Sequence, residues 1–282
     1  MTPIGAHVSA AGGIYKCIEN AASIGANAIQ FFGSSPQQWR TKIPSTADVE
    51  RYKKDISQSN IKAVFLHAAF LPNLASPDIV LAERSVKNLA EHLKIAESIG
   101  AAGLVFHLGS SMGSSKDDAL RAIAERIRSV IEIVPGSSKM ILENSSGGGG
   151  KMGSTIEEVG TIFRAVASDR TGVCIDTAHA YEAGIVEKYG PEDTKRFFDT
   201  LDKEVGLKKL MLLHINDSKT MFNSHHDKHE NIGSGHIGLE GFKALAKETK
   251  ISGVPWILEV PGFDDKGPDK ENIDIVKSFF NF

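Results

Sequence analysis

The feature that most constrains the fold is a regular alternation of short apolar runs with longer stretches that repeat apolar residues every three or four positions. The short runs have the length of strands, and the longer stretches have the period of a helix with one buried face. Strands that alternate with helices predict parallel βαβ units. Eight such units in 282 residues are typical of an α/β fold, the TIM (β/α)8 barrel. A doubly wound open sheet is the structural alternative.

The predicted elements cover the chain without a gap long enough to be a linker. The strands are continuously apolar, as expected where both faces of a sheet are covered. No low-complexity run or change of composition divides the chain, so residues 1–282 are predicted to form a single TIM-barrel domain. The predicted strands span 4–8, 27–32, 62–67, 103–108, 139–144, 172–176, 209–215 and 255–260, and the predicted helices span 14–25, 46–60, 77–100, 116–134, 155–167, 191–206, 239–249 and 269–280.

Composition excludes several classes of protein. The chain is 41% hydrophobic and 24% charged, as in an ordinary soluble domain, and it has no apolar run long enough to span a membrane. The first residues lack the pattern of a signal peptide, and two cysteines far apart in the sequence favour free thiols. We therefore expect a cytoplasmic protein without a membrane partner. A net charge of −3 by itself gives no indication of a nucleic-acid partner.

Six of the predicted strands end on a side chain that can bind a metal ion. In a barrel these ends converge on the C-terminal rim, where such folds carry their chemistry. The residues two positions earlier share the inward face of each strand and are apolar or Cys, as a filled barrel interior requires. The six strand-end residues are His67, His107, Glu143, Asp176, His214 and Glu259, and the inward residues are Phe65, Val105, Ile141, Cys174, Leu212 and Ile257.

Two loops supply three further candidates, His179, Asp227 and His229, which makes five histidines and four carboxylates. Four carboxylates that converge without a cation would raise one another's pKa steeply. The set exceeds the three or four ligands of a single zinc site and predicts two or three ions that share a carboxylate. Mixed imidazole and carboxylate ligands favour Zn²⁺, Mn²⁺ or Fe²⁺ over Ca²⁺ or Mg²⁺. Clustered divalent ions are suited to phosphoryl displacement.

Four segments carry a resemblance to a known family: HVSAAGG (7–13), GVCIDTAHAYEAG (172–184), HINDSK (214–219) and DKHENIGSGHIG (227–238). They resemble the endonuclease IV family of apurinic/apyrimidinic endonucleases, from Ile4 to about Pro261. The resemblance implies a TIM barrel with three zinc ions, for which Mn²⁺ or Fe²⁺ could substitute. It implies ligands for the first ion at His67, His107 and Glu143, for the second at Glu143, Asp176, His214 and Glu259, and for the third at His179, Asp227 and His229.

The reaction that the resemblance implies is hydrolysis of the phosphodiester on the 5′ side of an abasic site, which leaves a 3′-hydroxyl and a 5′-deoxyribose phosphate. A metal-bridging hydroxide would attack in line, while Glu143 and Glu259 hold the ions around it. Trimming of 3′-blocking groups is implied as well. The implied partner is double-stranded DNA with abasic sites or 3′-blocked ends, bound by a monomeric protein.

The chain departs from the family pattern at the expected DNA contacts. Gln37 stands where the family has an Arg, followed by Trp39 and Arg40, and Phe70 stands where it has a wedging Tyr. A Phe can still insert as an apolar wedge, although Trp39 and Phe70 could equally be core residues. His7 ends the first strand and is expected to line the pocket or to pair with a carboxylate.

Rival interpretations remain open at this stage. A metal-dependent sugar isomerase on the same barrel would need fewer ligands, and a non-catalytic metal-binding or DNA-binding module would not need carboxylates at six strand ends. The segment GSGHIG (233–238) matches a dinucleotide-binding pattern but does not directly follow a strand. It precedes a helix after the seventh strand, where barrels often bind phosphate. His92, in a charged helix, is expected to be solvated.

Overall fold

A closed barrel of eight parallel strands forms the centre of the computed structural model, which describes residues 1–280. The predicted TIM barrel is confirmed and the open sheet is wrong, because β1 pairs with both β2 and β10. Residues 281–282 of the predicted domain lie outside the described residues. The barrel strands are β1 (Ile4–His7), β2 (Ala28–Phe32), β3 (Ala63–His67), β4 (Gly103–His107), β5 (Lys139–Glu143), β6 (Thr171–Asp176), β7 (Leu210–His214) and β10 (Trp256–Leu258).

Helices surround the barrel at the predicted places, and one short helix was not predicted. Their bounds are α1 (Lys16–Ser23), α2 (Thr46–Ser57), α3 (Ile79–Ile99), α4 (Lys116–Ile133), α5 (Ile156–Val166), α6 (Thr177–Glu182), α7 (Pro191–Glu204), α8 (Gly238–Ala246) and α9 (Lys270–Ser278). The unpredicted α6 has only six residues, too few for a helical period to show in the sequence. A separate antiparallel pair, β8 (Asp217–Ser218) and β9 (His229–Glu230), was also missed because each strand has two residues.

Polar caps explain where several helices begin. Ser45 and Asp48 form a capping box at the start of α2, and Ser115 accepts the amide proton of Asp118 at the start of α4. Each cap satisfies backbone donors that the first turn leaves free. The helix α3 ends at Gly100, whose positive φ of 71° terminates the helix at low cost. The caps before α2 and α4 therefore mark where loops of the C-terminal rim end, and Gly100 marks the start of a loop at the opposite end of the barrel.

The barrel interior is filled by one layer of small and medium apolar side chains. All six residues predicted to point inward are buried together, which confirms the assigned strand faces, and Ala28 joins them. This layer forms the floor beneath the C-terminal rim. Burial raises the pKa of the Cys174 thiol in this layer to about 12, so that thiol is a packing group and not a nucleophile.

Gly5 lies in β1 at the closest backbone approach in the barrel, and its replacement is expected to destabilise the fold. A Cβ atom there would meet the carbonyl oxygen of Ala28 at 1.7 Å. We expect Gly5→Ala to lower the free energy of unfolding by about 3 kcal/mol or more, at the upper end of overpacking costs, because a backbone atom cannot rotate away. Gly190→Ala is the matched control, since nothing lies within 4 Å of its Cβ position. Equal urea midpoints for the two variants would contradict this expectation.

Candidate metal centre

The closed barrel brings the six strand-end residues to one rim. His67, His107, Glu143, Asp176 and His214 are the last residues of β3, β4, β5, β6 and β7, and Glu259 directly follows β10. These strands are consecutive neighbours around the barrel. His107 is in register with Glu143, and Asp176 is in register with His214. Residues far apart in the sequence therefore meet because parallel strands end at the same edge.

Glu143 is the centre of the cluster, and its two carboxylate oxygens face different neighbours. Its Oε2 lies 3.1 Å from His67 Nε2 and 3.3 Å from His107 Nε2. Its Oε1 lies 3.1 Å from His214 Nδ1 and 3.4 Å from His179 Nδ1. The side chain is fully buried. A carboxylate placed in this way can serve two adjacent ions.

The three loop residues complete the outer side of the cluster. His179 Nε2 lies 3.3 Å from Asp227 Oδ2, and His229 Nε2 lies 3.6 Å from Asp176 Oδ2 and 3.7 Å from Asp227 Oδ1. Within residues 1–280, three groups have potential ligand atoms within 4.8 Å of one another: His67, His107 and Glu143; Glu143, Asp176, His214 and Glu259; and Asp176, His179 and His229. The third group contains Asp176 in place of the predicted Asp227, which borders it from the more exposed side.

Amide side chains that the sequence reasoning missed hold the cluster in place. Asn216 Nδ2 donates to Asp176 Oδ2 at 2.6 Å, and its Oδ1 accepts from the backbone of Glu259 at 2.7 Å. Asn144 Oδ1 accepts from the backbone of Asp176 at 2.7 Å. The sequence did contain a signal for this role, because Asn144 and Asn216 follow the ends of β5 and β7 by one and two residues. Such supporting contacts fix the orientation of metal ligands.

Gln30 in β2 is a further missed residue, and it joins two candidate ligands. Its amide nitrogen donates to Glu259 Oε1 at 2.6 Å, and its oxygen lies 2.9 Å from His214 Nε2. This contact directs His214 Nδ1 toward Glu143. A glutamine inside the otherwise apolar run of β2 was the signal for this role. On the opposite side, His67 Nδ1 lies 2.8 Å from the carbonyl oxygen of Ala68, which directs Nε2 inward.

The donor set suits divalent cations better than it suits internal hydrogen bonding. His229 Nε2 is buried and has no hydrogen-bond partner among the described residues, although Asp176 and Asp227 lie just beyond hydrogen-bond distance. A buried imidazole nitrogen without a partner is costly, and a cation between it and the carboxylates would satisfy all three. Nitrogen and oxygen donors without thiolate match the preferences of Zn²⁺, Mn²⁺ and Fe²⁺.

The electrostatics of the cluster also fit cation binding. Burial opposes ionisation of Glu143, but the charges of His214 and His107 outweigh it and hold the carboxyl pKa well below its ordinary value. Burial likewise disfavours the charged form of His179, yet Asp176 and Asp227 raise its pKa well above the ordinary value. Protons on the histidines thus partly replace the positive charge that the carboxylates require. Cations would displace those protons on binding.

His7 and Phe70 border the cavity above the cluster, which has a volume of about 740 Å³. His7 Nδ1 lies 3.1 Å from Glu259 Oε1, so this residue both lines the cavity and contacts a carboxylate. Phe70 is 55% exposed, and its ring lies parallel to that of His107 with centroids 6.0 Å apart. An exposed aromatic ring at the mouth is available to a ligand.

The three candidates on the β2–α2 loop lie in two environments. Gln37 and Arg40 are exposed. Trp39 is half-buried, with the Arg84 guanidinium 4.3 Å from its ring centroid and its carbonyl oxygen accepting from Asn88. Trp39 therefore anchors this loop to α3, while Gln37 and Arg40 remain accessible from solvent.

The glycine-rich segment 233–238 is occupied by the protein itself. The Asp217 carboxylate accepts backbone amide protons from Gly233 at 2.9 Å, Gly235 at 3.1 Å and Ile237 at 2.9 Å. These are the donors that would otherwise receive a phosphate. The segment therefore orders the loop after β9 and is not free for a dinucleotide. The expectation for His92 is wrong, because its side chain is fully buried beneath Gly33.

Comparison with known proteins decides the family. The family described as xylose isomerase-like TIM barrel matches residues 18–279. The probable endonuclease 4 of Halothermothrix orenii is 35% identical over 275 residues, which cover 97% of this chain and 99% of that protein. The crystal structure of endonuclease IV from Thermus thermophilus superposes with a TM-score of 0.86 at 31% identity, over 99% of this chain and 98% of that chain. The chain belongs to the endonuclease IV family.

Similarity to other barrels is weaker and concerns the fold alone. A D-tagatose 3-epimerase-like protein superposes with a TM-score of 0.76 at 20% identity, over 99% of this chain and 97% of that chain. The endonuclease IV family thus shares its barrel with proteins of other activities, and fold alone does not decide activity. In the described part of the chain, no helix has the length and apolarity needed to cross a bilayer.

Proposed function

We propose that this protein hydrolyses the phosphodiester on the 5′ side of an abasic site in duplex DNA, leaving a 3′-hydroxyl and a 5′-deoxyribose phosphate. It also removes 3′-blocking groups, and it acts as a cytoplasmic monomer with three zinc ions. The observation that carries the proposal is the buried Glu143, whose two oxygens face separate sets of imidazoles, some of which line an open cavity. Membership of the endonuclease IV family supports the nuclease reaction.

The proposed ligand sets combine the groups of neighbouring ligand atoms with the sets that the family resemblance implies. His67, His107 and Glu143 would hold the first ion, Glu143 with Asp176, His214 and Glu259 the second, and His179, Asp227 and His229 the third, with Asp176 adjacent. When bound, divalent cations lower the pKa of water and neutralise charge on the attacked and departing oxygens. Mn²⁺ and Fe²⁺ have compatible ligand preferences.

Glu143 and Glu259 are the proposed catalytic carboxylates, and the protein fixes both of them in place. Glu259 Oε1 is held by Gln30 at 2.6 Å and by His7 at 3.1 Å, so Oε2 faces His214 Nδ1 at 3.2 Å. Glu143 needs no hydroxyl or amide partner because imidazoles surround it. Carboxylates fixed in this way would hold bound cations without rearrangement, and the cations would present preorganised charge to the scissile phosphate.

An abasic nucleotide suits a cavity of this shape. The cavity opens at the rim and is bordered by the exposed Phe70 on one side and by Pro261 and Pro268 on another. A nucleotide reaches such a site only after leaving the stack, and extrusion costs least where base pairing is already lost. Gln37 and Arg40 on the neighbouring exposed loop are the proposed contacts to the duplex, with Trp39 holding that loop against α3.

The test measures metal content and cutting on the same preparation. We expect about three zinc ions per chain and a single nick on the 5′ side of one abasic site in a labelled duplex, abolished by a chelator. The same preparation is offered ketoses and aldoses. One or two ions together with ketose–aldose exchange, and no nick, would replace this proposal with a sugar isomerase on the same barrel.

Phe70→Ala is expected to weaken binding more than it slows the chemical step. An aromatic ring that stacks on or wedges into DNA contributes about 1–3 kcal/mol, so affinity for the abasic duplex should fall about fivefold to 150-fold. The single-turnover rate at saturating protein should stay within about threefold, since Phe70 is not among the neighbouring ligand groups. Ile133→Ala, at an exposed apolar residue at the end of α4, is the control. A lower single-turnover rate with unchanged affinity would refute the wedge role.

A further inference from the structure

A second cavity adjoins the metal centre and has no role in the mechanism above. It has a volume of about 320 Å³ and lies between the loops that follow β3, β4 and β5. This is the small end of the range for ligand pockets, about 300–1,000 Å³. His107, His179 and Asp227 border both cavities. A group bound in the second cavity would therefore lie directly beside the cations.

The walls of this cavity are preformed by hydrogen bonds between the three loops. Asn73 accepts from the backbone of Ser110 at 3.0 Å and donates to the carbonyl of Ser110 at 3.0 Å. The Ser110 hydroxyl donates to the carbonyl of Gly149 at 2.8 Å, and the Ser111 amide donates to the carbonyl of Gly150 at 2.9 Å. A preformed pocket binds its ligand without the cost of ordering loops.

Ser145 lines this cavity and carries a buried hydroxyl without a partner in the described chain. The residue is 9% exposed, and its amide donates to the carbonyl of Gly153 at 2.9 Å. Its Oγ atom is buried and has no hydrogen-bond partner within the described chain. Buried hydroxyls are almost always paired, so this unpaired one indicates a ligand that supplies the missing partner.

Lys151 provides a positive charge with unused donors. Its Nζ donates to the Ser146 hydroxyl at 3.2 Å, and Asp227 Oδ2 lies 3.9 Å away, beyond hydrogen-bond distance. An ammonium group has three donors, so two remain for a ligand. The side chain is 42% exposed, while the backbone amide of Lys151 donates a hydrogen bond to the carbonyl oxygen of Gly148 at 2.9 Å. The charge is therefore anchored at the edge of the cavity.

We propose that Ser145 and Lys151 form a subsite for a phosphate ester, and that this subsite positions the phosphate of a DNA strand end beside the metal centre. The inference rests on the proposed function for its DNA ligand. Toward an anion, a hydroxyl and an ammonium group both act as hydrogen-bond donors. Lysine is a common ligand of phosphate groups in proteins. Leu71 and Leu81, which are partly exposed, supply an apolar wall against which the attached sugar would pack. A cation held by Asp227 would leave the Lys151 charge unpaired and available to the phosphate.

The experiment titrates inorganic phosphate into the zinc-loaded protein and follows the heat, with zinc content measured for every variant. Lys151→Gln should weaken phosphate binding about tenfold or more, as expected for loss of charge-assisted hydrogen bonds, and Ser145→Ala should weaken it severalfold. Lys151→Arg retains the charge and should bind as the parent does. Lys266→Gln removes an exposed charge outside the cavity and is the control for long-range attraction.

Three outcomes would overturn the subsite: unchanged phosphate affinity in Lys151→Gln, an equal loss in Lys266→Gln, or a loss of zinc in Lys151→Gln. A second arm compares binding of duplexes that end in a 3′-phosphate or a 3′-hydroxyl, and the parent's preference for the phosphate should disappear in Lys151→Gln. If it persists, the assignment to DNA is wrong. Because the first arm uses no DNA, its result is independent of whether the protein cuts an abasic duplex.

Discussion

Glu143→Gln should abolish most of the cleavage of an abasic duplex while the protein remains folded. The carboxamide keeps the size of the side chain but replaces one acceptor oxygen with a donor nitrogen. It can therefore no longer offer one oxygen beside His67 and another beside His214 to two separate ions. Loss of the charge stabilisation that bridged ions supply amounts to several kcal/mol, or a fall of about 10³-fold or more in single-turnover rate. The measurement is nicking of a labelled duplex at saturating protein.

The matched control for this variant is Glu97→Gln at the opposite end of the barrel. Glu97 accepts backbone amide protons from Ser137 at 2.9 Å and from Ser138 at 2.7 Å, just before β5 begins. This variant also removes one carboxylate with hydrogen-bonded neighbours, but far from the cluster, so it should cut at the parent rate. Circular dichroism of both variants should match the parent. Parent-like turnover in Glu143→Gln would remove the basis of the proposed mechanism.

Removal of the cations is expected to eliminate cleavage and to lower thermal stability together. Ions that bind only the folded chain stabilise it in proportion to the logarithm of their free concentration relative to Kd. Extraction with a chelator should therefore lower the Tm, and addition of zinc should restore both the Tm and the nicking. Chelator presaturated with zinc is the control. Full activity in protein shown to contain no metal would contradict the metal-centre assignment.

The pH dependence of this extraction follows from the histidines. Burial disfavours the charged form of both imidazoles, but Asp176 and Asp227 raise the pKa of His179, and Cys174 together with Glu259 and Glu143 raises the pKa of His214, well above the ordinary value. An imidazole must lose its proton to bind a cation. Protons therefore compete harder as pH falls, so at equal buffered concentrations of free zinc the protein should retain less zinc at pH 6 than at pH 8. In the metal-free protein the pH dependence runs in the opposite direction. The contribution of these two histidines to the free energy of unfolding is present at low pH and is lost as pH rises through their raised pKa values.

Sequence periodicity was sufficient for the fold because the barrel repeats one unit. Each strand is short, apolar and bounded by loops, and the inward residues from Phe65 to Ile257 could be assigned by counting two positions back from each strand end. The same counting placed His67, His107 and Glu143 on one rim. It did not reveal α6, whose six residues begin at the cap formed by Asp176.

The surroundings of the cluster could not be inferred in the same way. The positions of Gln30 and Asn216 mark them as unusual polar residues, but both contact Glu259 across more than 40 residues of sequence, and no local pattern indicates that partner. His92 lies in a helix with charged neighbours, yet α3 turns it beneath the β2–α2 loop, where it is fully buried. The glycine-rich segment 233–238 had a recognisable anion-binding pattern, but only the structure shows that Asp217 fills it.

The sequence by itself determined the number and order of the eight barrel strands and of the eight predicted helices, the inward face of six of those strands, and which nine polar residues stand at the rim. These depend on local spacing, since strand and helix periods are set by the backbone. Only the tertiary structure decided which of those residues face one another, that Glu143 lies between two sets of imidazoles, and that Ser145 is left without a partner. Distances across the rim arise from closure of the barrel, which joins β1 to β10 and is not encoded at any single position.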